Sequence, residues 1–450
     1  MLTGWRGRTL CGAILCSASA CGTSQARPSG LAWRPPTVLS SEGGSGAAPV
    51  LAVGPDSRVT AAWVGAPDRG KDGRLMVRPD LASSAQVEVR DPVGSLTIYG
   101  ETPPKLAYGS DGTIYAAYLV TRAIPGHQWP VNTLRFASST DHGVRWSGAA
   151  TVQADTAYGG STDDHALLVA PDGTLYLSWL AMTGDTSHTY AAHSQDQGKT
   201  WSVPVKVDSG PSCPCCRTAL AVGPDGRLFA AWRKIYHPGS GQMRDIVVAF
   251  SSDRGATWST PVRVHHDDWH VDYCPDAGPT IKVARDGVVH VAWWTGRPGG
   301  AGVRYTQSRD GGRSFTAPIP LGVAAASRAA HAQLALGPAN QVVVAWDDGT
   351  RAIPPIVLRI SSDGGRTFSA ADTLTSPGES AGYPVVAIGR DSVYVAWQQR
   401  SERGVATDSL RHLHEIEALS QPKSQRPASE QWINPVGSWS VVLRAAAIRS

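Results

Sequence analysis

Three things are scarce in this chain, and each scarcity closes off a class of function. Beyond a short apolar stretch near the first residues, no run approaches the ~18 apolar residues of a membrane-spanning helix, which excludes a helical membrane bundle. The excess of one charge is small: 41 Lys and Arg stand against 37 Asp and Glu, a net +4 over 450 residues. No basic stripe results, and nucleic acid is set aside as a partner. Cysteine occurs only 7 times, and three of those positions crowd into "CPCC" at 213–216.

What is plentiful points elsewhere. The 48 Gly, 32 Pro and 16 Trp predict a turn-rich β protein with a substantial core, not a disordered chain. Length alone allows one large domain or about three. The first residues, "MLTGWRGRTLCGAILCSASACGTSQ", place Arg6 and Arg8 before a short apolar run and small residues, as an export signal does over 1–20. "ASAC" ending at Cys21 resembles a lipoprotein cleavage box, so Cys21 is the expected lipidation site, with 21–30 as tether. Simple secretion after Ala20 is the alternative. The expected location is the cell envelope, periplasm or exterior, with membrane contact only through that anchor.

A repeat then organises the chain. "PVLAVGPDSRVTAAW" from Pro49, "PKLAYGSDGTIYAAY" from Pro104 and "HALLVAPDGTLYLSW" from His165 share one pattern with "RTALAVGPDGRLFAAW" from Arg217. "PTIKVARDGVVHVAW" from Pro279, "AQLALGPANQVVVAW" from Ala332 and "PVVAIGRDSVYVAW" from Pro384 complete seven copies. Each is an alternating strand, a tight turn and a second strand ending in an aromatic residue. A period of this size means a propeller or a solenoid.

Between the copies lies a second element: "STDHGVRW" from Ser139, "SQDQGKTW" from Ser194, "SSDRGATW" from Ser251, "SRDGGRSF" from Ser308 and "SSDGGRTF" from Ser361. This S-x-D-x-G-x-x-W/F pattern resembles the Asp box, or BNR repeat, of the bacterial sialidase superfamily. The resemblance implies an all-β propeller of four-stranded blades over 31–418. The repeat count gives seven blades, where sialidase enzymes have six. Asp141, Asp196, Asp253, Asp310 and Asp363 are expected to accept hydrogen bonds from backbone N–H groups in their own turns, as structural and not catalytic residues. "GLAWRPPTV" from Gly30 matches "GKTWSVPVKV" and "GATWSTPVRV", so an N-terminal strand is expected to close the last blade and remove an open edge. Residues 419–450 read as linker and tail.

Alternating strand directions put the "GPDG" turns and Asp boxes on one face and the variable connections on the other. Function is expected on the variable face. The residues leading into the inner strands there are Glu101; Asp163, Asp164 and His165; Cys213, Cys215, Cys216 and Arg217; His265 to Asp276, including Asp267, Asp268, His270, Asp272 and Cys274; Arg328 and His331; Glu379 and Tyr383.

Two readings of the cysteines stay open. Four remain after the signal and Cys21, an even number suited to two disulfides in an exported protein. Cys215 and Cys216 are neighbours, so at least one would reach Cys274. Alternatively, the thiolates with His165 and His331 form a copper or zinc site.

The resemblance also implies a chemistry: a retaining sialidase uses Arg residues to clamp the sugar carboxylate, a Tyr nucleophile activated by Glu, and an Asp acid/base. Onto this chain it carries Tyr383, Glu379, Asp164 (or Asp163), and Arg217 and Arg328, with Asp276 as a further substrate contact. The family's F/Y-R-I-P motif falls at "GAAPVLAV" from Gly46, where no Arg stands; Arg34 in "WRPP" belongs to an outer strand. The expected function is therefore binding of a glycan, partner protein or soft metal at the rim. A sialidase-type hydrolase and an envelope assembly scaffold are the alternatives.

Overall fold

Each "VGPDG" turn joins two strands whose partners are set by burial. The second strand of each pair is sandwiched between neighbouring blades and must be apolar on both faces. Hence "VTAAWVGA", "LYLSWLAMT" and "VVVAWD" are almost continuously buried. The computed structural model describes residues 1, 28–40, 45–66, 72–122, 131–153, 162–183, 186–236, 241–323, 329–351, 353–400 and 439–448. The export signal (Met1 apart), Cys21 and Arg328 lie outside the described residues.

These residues form seven antiparallel sheets, all β among the described residues. Blade 1 comprises Ser45–Val53, Val59–Ala66, Arg74–Arg78 and Val87–Val89. Blade 2 has Lys105–Tyr108, Ile114–Arg122, Val131–Ser139 and Ala150–Gln153, with Ser95–Leu96 also on its second strand. Blade 3 contains Thr162–Val169, Leu175–Thr183, Thr186–Ser194 and Val205–Lys206; blade 4 contains Ala219–Val222, Leu228–Tyr236, Met243–Ser251 and Val262–Arg263. Thr280–Val283, Val289–Thr295, Gly302–Ser308 and Ile319–Val323 make blade 5. Gln333–Leu336, Val342–Asp347, Ile356–Ser361 and Asp372–Thr373 make blade 6. Ser380–Ile388 and Ser392–Arg400 begin blade 7.

A buried apolar cluster fills every interface between consecutive blades. Between blades 7 and 1, Ala396, Val441 and Leu443 meet Ala61 and Trp63. The aromatic residue of each repeat anchors this packing: Trp63, Tyr118, Trp179, Trp232, Trp293, Trp346 and Trp397 are all buried. The ring is a seven-bladed β-propeller.

Asp boxes do the turn work expected of them. Ser251 Oγ accepts from Gly255 N–H (2.8 Å) and donates to Asp253 Oδ1 (2.7 Å), which also accepts from Thr257 N–H (2.9 Å). Gly255 takes a φ of 83°, a left-handed conformation that favours glycine. The Thr257 hydroxyl on Oδ2, then the Thr257 N–H and the Ser251 hydroxyl, hold Asp253 down at about 2. The box aromatics pack back toward the preceding blade, not under the next strand: Trp258 joins the cluster between blades 3 and 4, and Phe368 that between 5 and 6.

The expected tail is corrected at its end. Ser440–Ala447 is the third strand of blade 7, paired with Ser392–Arg400. Its outer neighbours are the N-terminal strands Ala32–Trp33 and Thr37–Val38. It looked like a tail because no Asp box follows it: the fourth strand comes from the other end of the chain. Ser29 Oγ and Trp33 Nε1 donate to Asp372 Oδ2 at 2.5 and 2.9 Å, latching that outer strand to blade 6. Replacing Asp372 by Ala leaves both donors without their acceptor. It is expected to cost roughly 1–3 kcal/mol in chemical denaturation, whereas an unchanged midpoint would mean the latch is ornamental.

Candidate functional site

One position per blade builds the rim of the central channel. The pairings Val50↔Ala62, Lys105↔Ala117, Ala166↔Ser178, Ala219↔Ala231, Thr280↔Ala292, Gln333↔Ala345 and Val385↔Ala396 are equivalent. Two residues before each first member stand Ala48, Pro103, Asp164, Arg217, Gly278, His331 and Tyr383. In blades 1, 3 and 7 the register shifts there, and Ala48, Asp164 and Tyr383 each take a φ of 53°. Ala48 shows that this bulge belongs to the scaffold. What differs between blades is the side chain it delivers.

Arg217 and Glu101 form the hub. Glu101 is fully buried; its Oε1 accepts from Gly278 N–H (2.7 Å) and Arg217 N–H (3.3 Å), and its Oε2 lies 3.2 Å from Arg217 Nη1. Arg217 Nη2 donates to Ala332 O at 3.2 Å. With its amide oxygen turned inward, Gln333 accepts from Nη1 and Nη2 at 3.2 and 2.9 Å. Blades 2, 4, 5 and 6 therefore meet at one ion pair. Gly278 is required by closeness, because a Cβ there would fall on the Arg217 carbonyl oxygen.

Around the hub lie protonatable groups. Burial, then the neighbouring Asp163, Glu101 and Asp276, push Asp164 well above the usual carboxylate range. Burial and the Glu101 charge bring Asp276 to about 7, against hydrogen bonds from Tyr99 and Cys215. Lys105 falls to about 7, mainly through burial and the Arg217 charge. Asp347 accepts from His331 Nδ1 (2.6 Å), His331 N–H (2.5 Å) and Tyr383 N–H (3.3 Å). The His331 and Tyr383 rings lie 4.0 Å apart, and a Cβ at Gly100 would land on the Tyr383 ring. Glu101 Oε2 has the Arg217 ion pair but no hydrogen bond, and Asp164 Oδ1 and His331 Nε2 are likewise buried without a hydrogen-bond partner.

Glu101, Asp164, Arg217, Asp276, His331 and Tyr383 thus come together, with Cys215 beside Asp276, whereas Glu379 and His165 stand apart. Glu379 turns back on its own loop, accepting from Ser376 N–H at 3.2 Å, and is not on the Tyr383 hydroxyl. Burial, then the charges of Asp276, Glu101 and Asp347, raise the Tyr383 phenol well above its ordinary value. His165 is a core residue: its Nε2 lies 3.0 Å from Ala117 O, and burial lowers it to about 3. Neither His165 nor His331 joins the cysteines. The residues that sequence reasoning missed are Tyr99, Lys105, Gln333 and Asp347. Only Lys105, a charge inside an apolar strand pattern, carried a visible signal.

Among the described residues, the four cysteines Cys213, Cys215, Cys216 and Cys274 are unbridged. Cys213 Sγ lies 3.6 Å from Cys215 Sγ and 3.3 Å from Cys216 Sγ, and Cys215, Cys274 and Asp276 form a second group sharing Cys215. Burial opposes the Cys213 thiolate, yet hydrogen bonds from Cys215 and Cys216 and the Arg244 and Arg233 charges hold its thiol well below the ordinary value. The histidines of the 265–270 loop pair locally, His265 with Asp267 (2.9 Å) and His270 with Gly241 O (2.8 Å). On the opposite face, a cavity of about 620 Å³ is lined by the inner turns and Asp boxes, including Arg285, Arg309, Arg366 and Arg390.

The comparisons agree with this architecture. Among functionally curated proteins, none matches the sequence. A protein of unknown function from Dyadobacter fermentans DSM 18053 is 18% identical, with a TM-score of 0.52 over 93% of this chain and 100% of its own. A PL25 ulvan lyase bound to -[GlcA(1-4)Rha3S]- is 12% identical, with a TM-score of 0.52 over 83% of this chain and 92% of its own. The Hadza microbial sialidase Hz136 is 20% identical, at a TM-score of 0.47 over 75% and 74%. These likenesses are of fold, and function is argued from the site. Residues 84–263 and 131–395 match the BNR repeat-like domain, so that most of the blades fall inside the match, and the chain belongs to that family.

Proposed function

We propose that the channel mouth is a saccharide-binding site that holds its ligand without cleaving it. The observation that carries this reading is the pair of buried, unpartnered atoms, Asp164 Oδ1 and His331 Nε2, beside the Glu101–Arg217 hub. A buried polar atom left without a partner costs roughly 1–3 kcal/mol, and hydroxyl groups of a sugar meet both an acceptor and a ring nitrogen. Tyr99 and Tyr383, whose rings stand 6.5 Å apart at 62°, add apolar faces. By analogy of fold alone, the ulvan lyase supports saccharide as the ligand class.

The sialidase chemistry fits these residues less well. Arg217 is engaged by Glu101, Ala332 and Gln333, which leaves its fork no free side for a sugar carboxylate. Tyr383 is driven away from the phenolate that a nucleophile needs. Calorimetry against sialyllactose and glucuronate–rhamnose oligosaccharides is expected to show binding that weakens at least tenfold in Asp164→Ala, about 1.4 kcal/mol. Turnover of sialyllactose that disappears in Tyr383→Phe would overturn the non-catalytic reading.

The His331–Asp347 pair sets a pH window for the same rim. Burial opposes both charges, and their mutual attraction outweighs it, raising His331 above 6.5 and lowering Asp347 below 3.8. The raised histidine contributes stability that is full below its ordinary value and fades as pH rises through its folded one. The lowered aspartate contributes above its ordinary value and loses on acidification. The Glu101 charge raises His331 further and the Arg217 charge opposes it, while the Tyr383 N–H helps hold Asp347 down. Thermal melting followed with pH is expected to peak between those limits, and His331→Gln to flatten the alkaline side. An unaltered slope in that variant would assign the dependence to other groups.

A further inference from the structure

We propose that Cys213, Cys215 and Cys216 bind a thiophilic d10 cation, Cu(I) in preference to Zn(II), at the rim between blades 4 and 5. This site goes beyond the saccharide reading and does not rest on it.

Convergence is the first argument. Cys213 sits between two sulfurs, at 3.6 and 3.3 Å, and Cys215 is shared with the group that includes Cys274 and Asp276. The sulfurs share neighbours: Cys213 faces both Cys215 and Cys216, and Cys215 also faces Cys274. A metal–thiolate bond of about 2.3 Å gives a tetrahedron edge of about 3.8 Å, so small adjustments bring the three sulfurs onto one ion. Cys213 and Cys216 are each 1% exposed, and the backbone fixes them: Cys213 N–H donates to Arg233 O at 2.8 Å, and Ser212 bridges Lys234.

Charge is the second, independent argument. Arg233 and Arg244 are buried beside the sulfurs, 1% and 6% exposed, and among the described residues neither forms an ion pair with a carboxylate. Arg233 donates to Ala277 O (3.0 Å) and Trp294 O (2.8 Å) and lies over the Trp269 ring. Arg244 Nη1 donates to Tyr273 O (3.0 Å) and to Cys213 Sγ (3.3 Å). Two buried guanidinium charges without counter-ions are costly, and thiolates are the anions within reach. Three thiolates balance two guanidinium groups and one monovalent ion. A divalent ion would leave a positive charge buried unless Cys274 or Asp276 also joined. Soft sulfur ligands suit both ions, so the charge count is what favours Cu(I).

The test uses the full chain, purified with reductant and loaded with Cu(I) or Zn(II) separately. Competition against a Cu(I) chelator is expected to leave one tightly held Cu(I) per chain, and X-ray absorption to show sulfur neighbours only. Cys213→Ser and Cys216→Ser should each weaken retention at least a hundredfold, and Arg244→Gln at least tenfold. Because a cysteine substitution can disturb blade 4, the absorption spectrum of the unaltered protein is the deciding measurement. Nitrogen or oxygen scatterers at the ion would overturn the ligand set. Tighter retention of Zn(II) would overturn the monovalent assignment. A freshly purified, unreduced protein with no free thiols and no metal would overturn the site itself and make the cysteines disulfide staples.

Discussion

Four blades of this ring lean on a single carboxylate. Glu101, carried on the segment leading into blade 2, reaches Arg217 of blade 4 and the Gly278 amide of blade 5, and Arg217 hands the connection on to blade 6. Both charges are out of water, so the pair stands on their mutual attraction and on the hydrogen bonds that Glu101 Oε1 and the Arg217 guanidinium make around it. Removing one partner would strand the other, a loss of roughly 3–5 kcal/mol. The hub also sets the electrostatics of the rim. It is a reason that Asp164, Asp276 and Tyr383 hold their protons so firmly, and that Lys105 releases its proton so easily.

Much of this was legible in the residues. Every inner strand is indexed by its own tight turn, and five of the seven third strands are followed by a box. Counting them yields seven blades, and alternation of direction yields the functional face. The closing strand was visible because "GLAWRPPTV" repeats the spacing found after two boxes. Its partner Ser440–Ala447 was not, since no box marks it.

The rim was legible as a list of positions but not as a set of contacts. Bulges between Asp163 and Ala166 and between Gly382 and Val385 turn one side chain per blade into the channel, and no residue type announces them. Tyr383 sits left-handed there although its sequence reads as an ordinary strand. Asp347 ends a second strand with no motif to mark it, yet it holds both His331 and Tyr383. Glu379 failed for the opposite reason: nearness in sequence to Tyr383 placed it in a loop that folds on itself.

Closure by the N-terminal strand also has a consequence for synthesis on the ribosome. Ala32 pairs with Ala447, so one of the earliest strands to emerge waits for one of the latest. Until then blade 7 lacks its third strand and exposes the edge that strand covers. Blades 1 to 6 can collapse as they appear, but the ring stays an open crescent with a sticky edge at each end. A nascent chain stalled before residue 440 would carry the full rim and still lack the ring that holds it in shape.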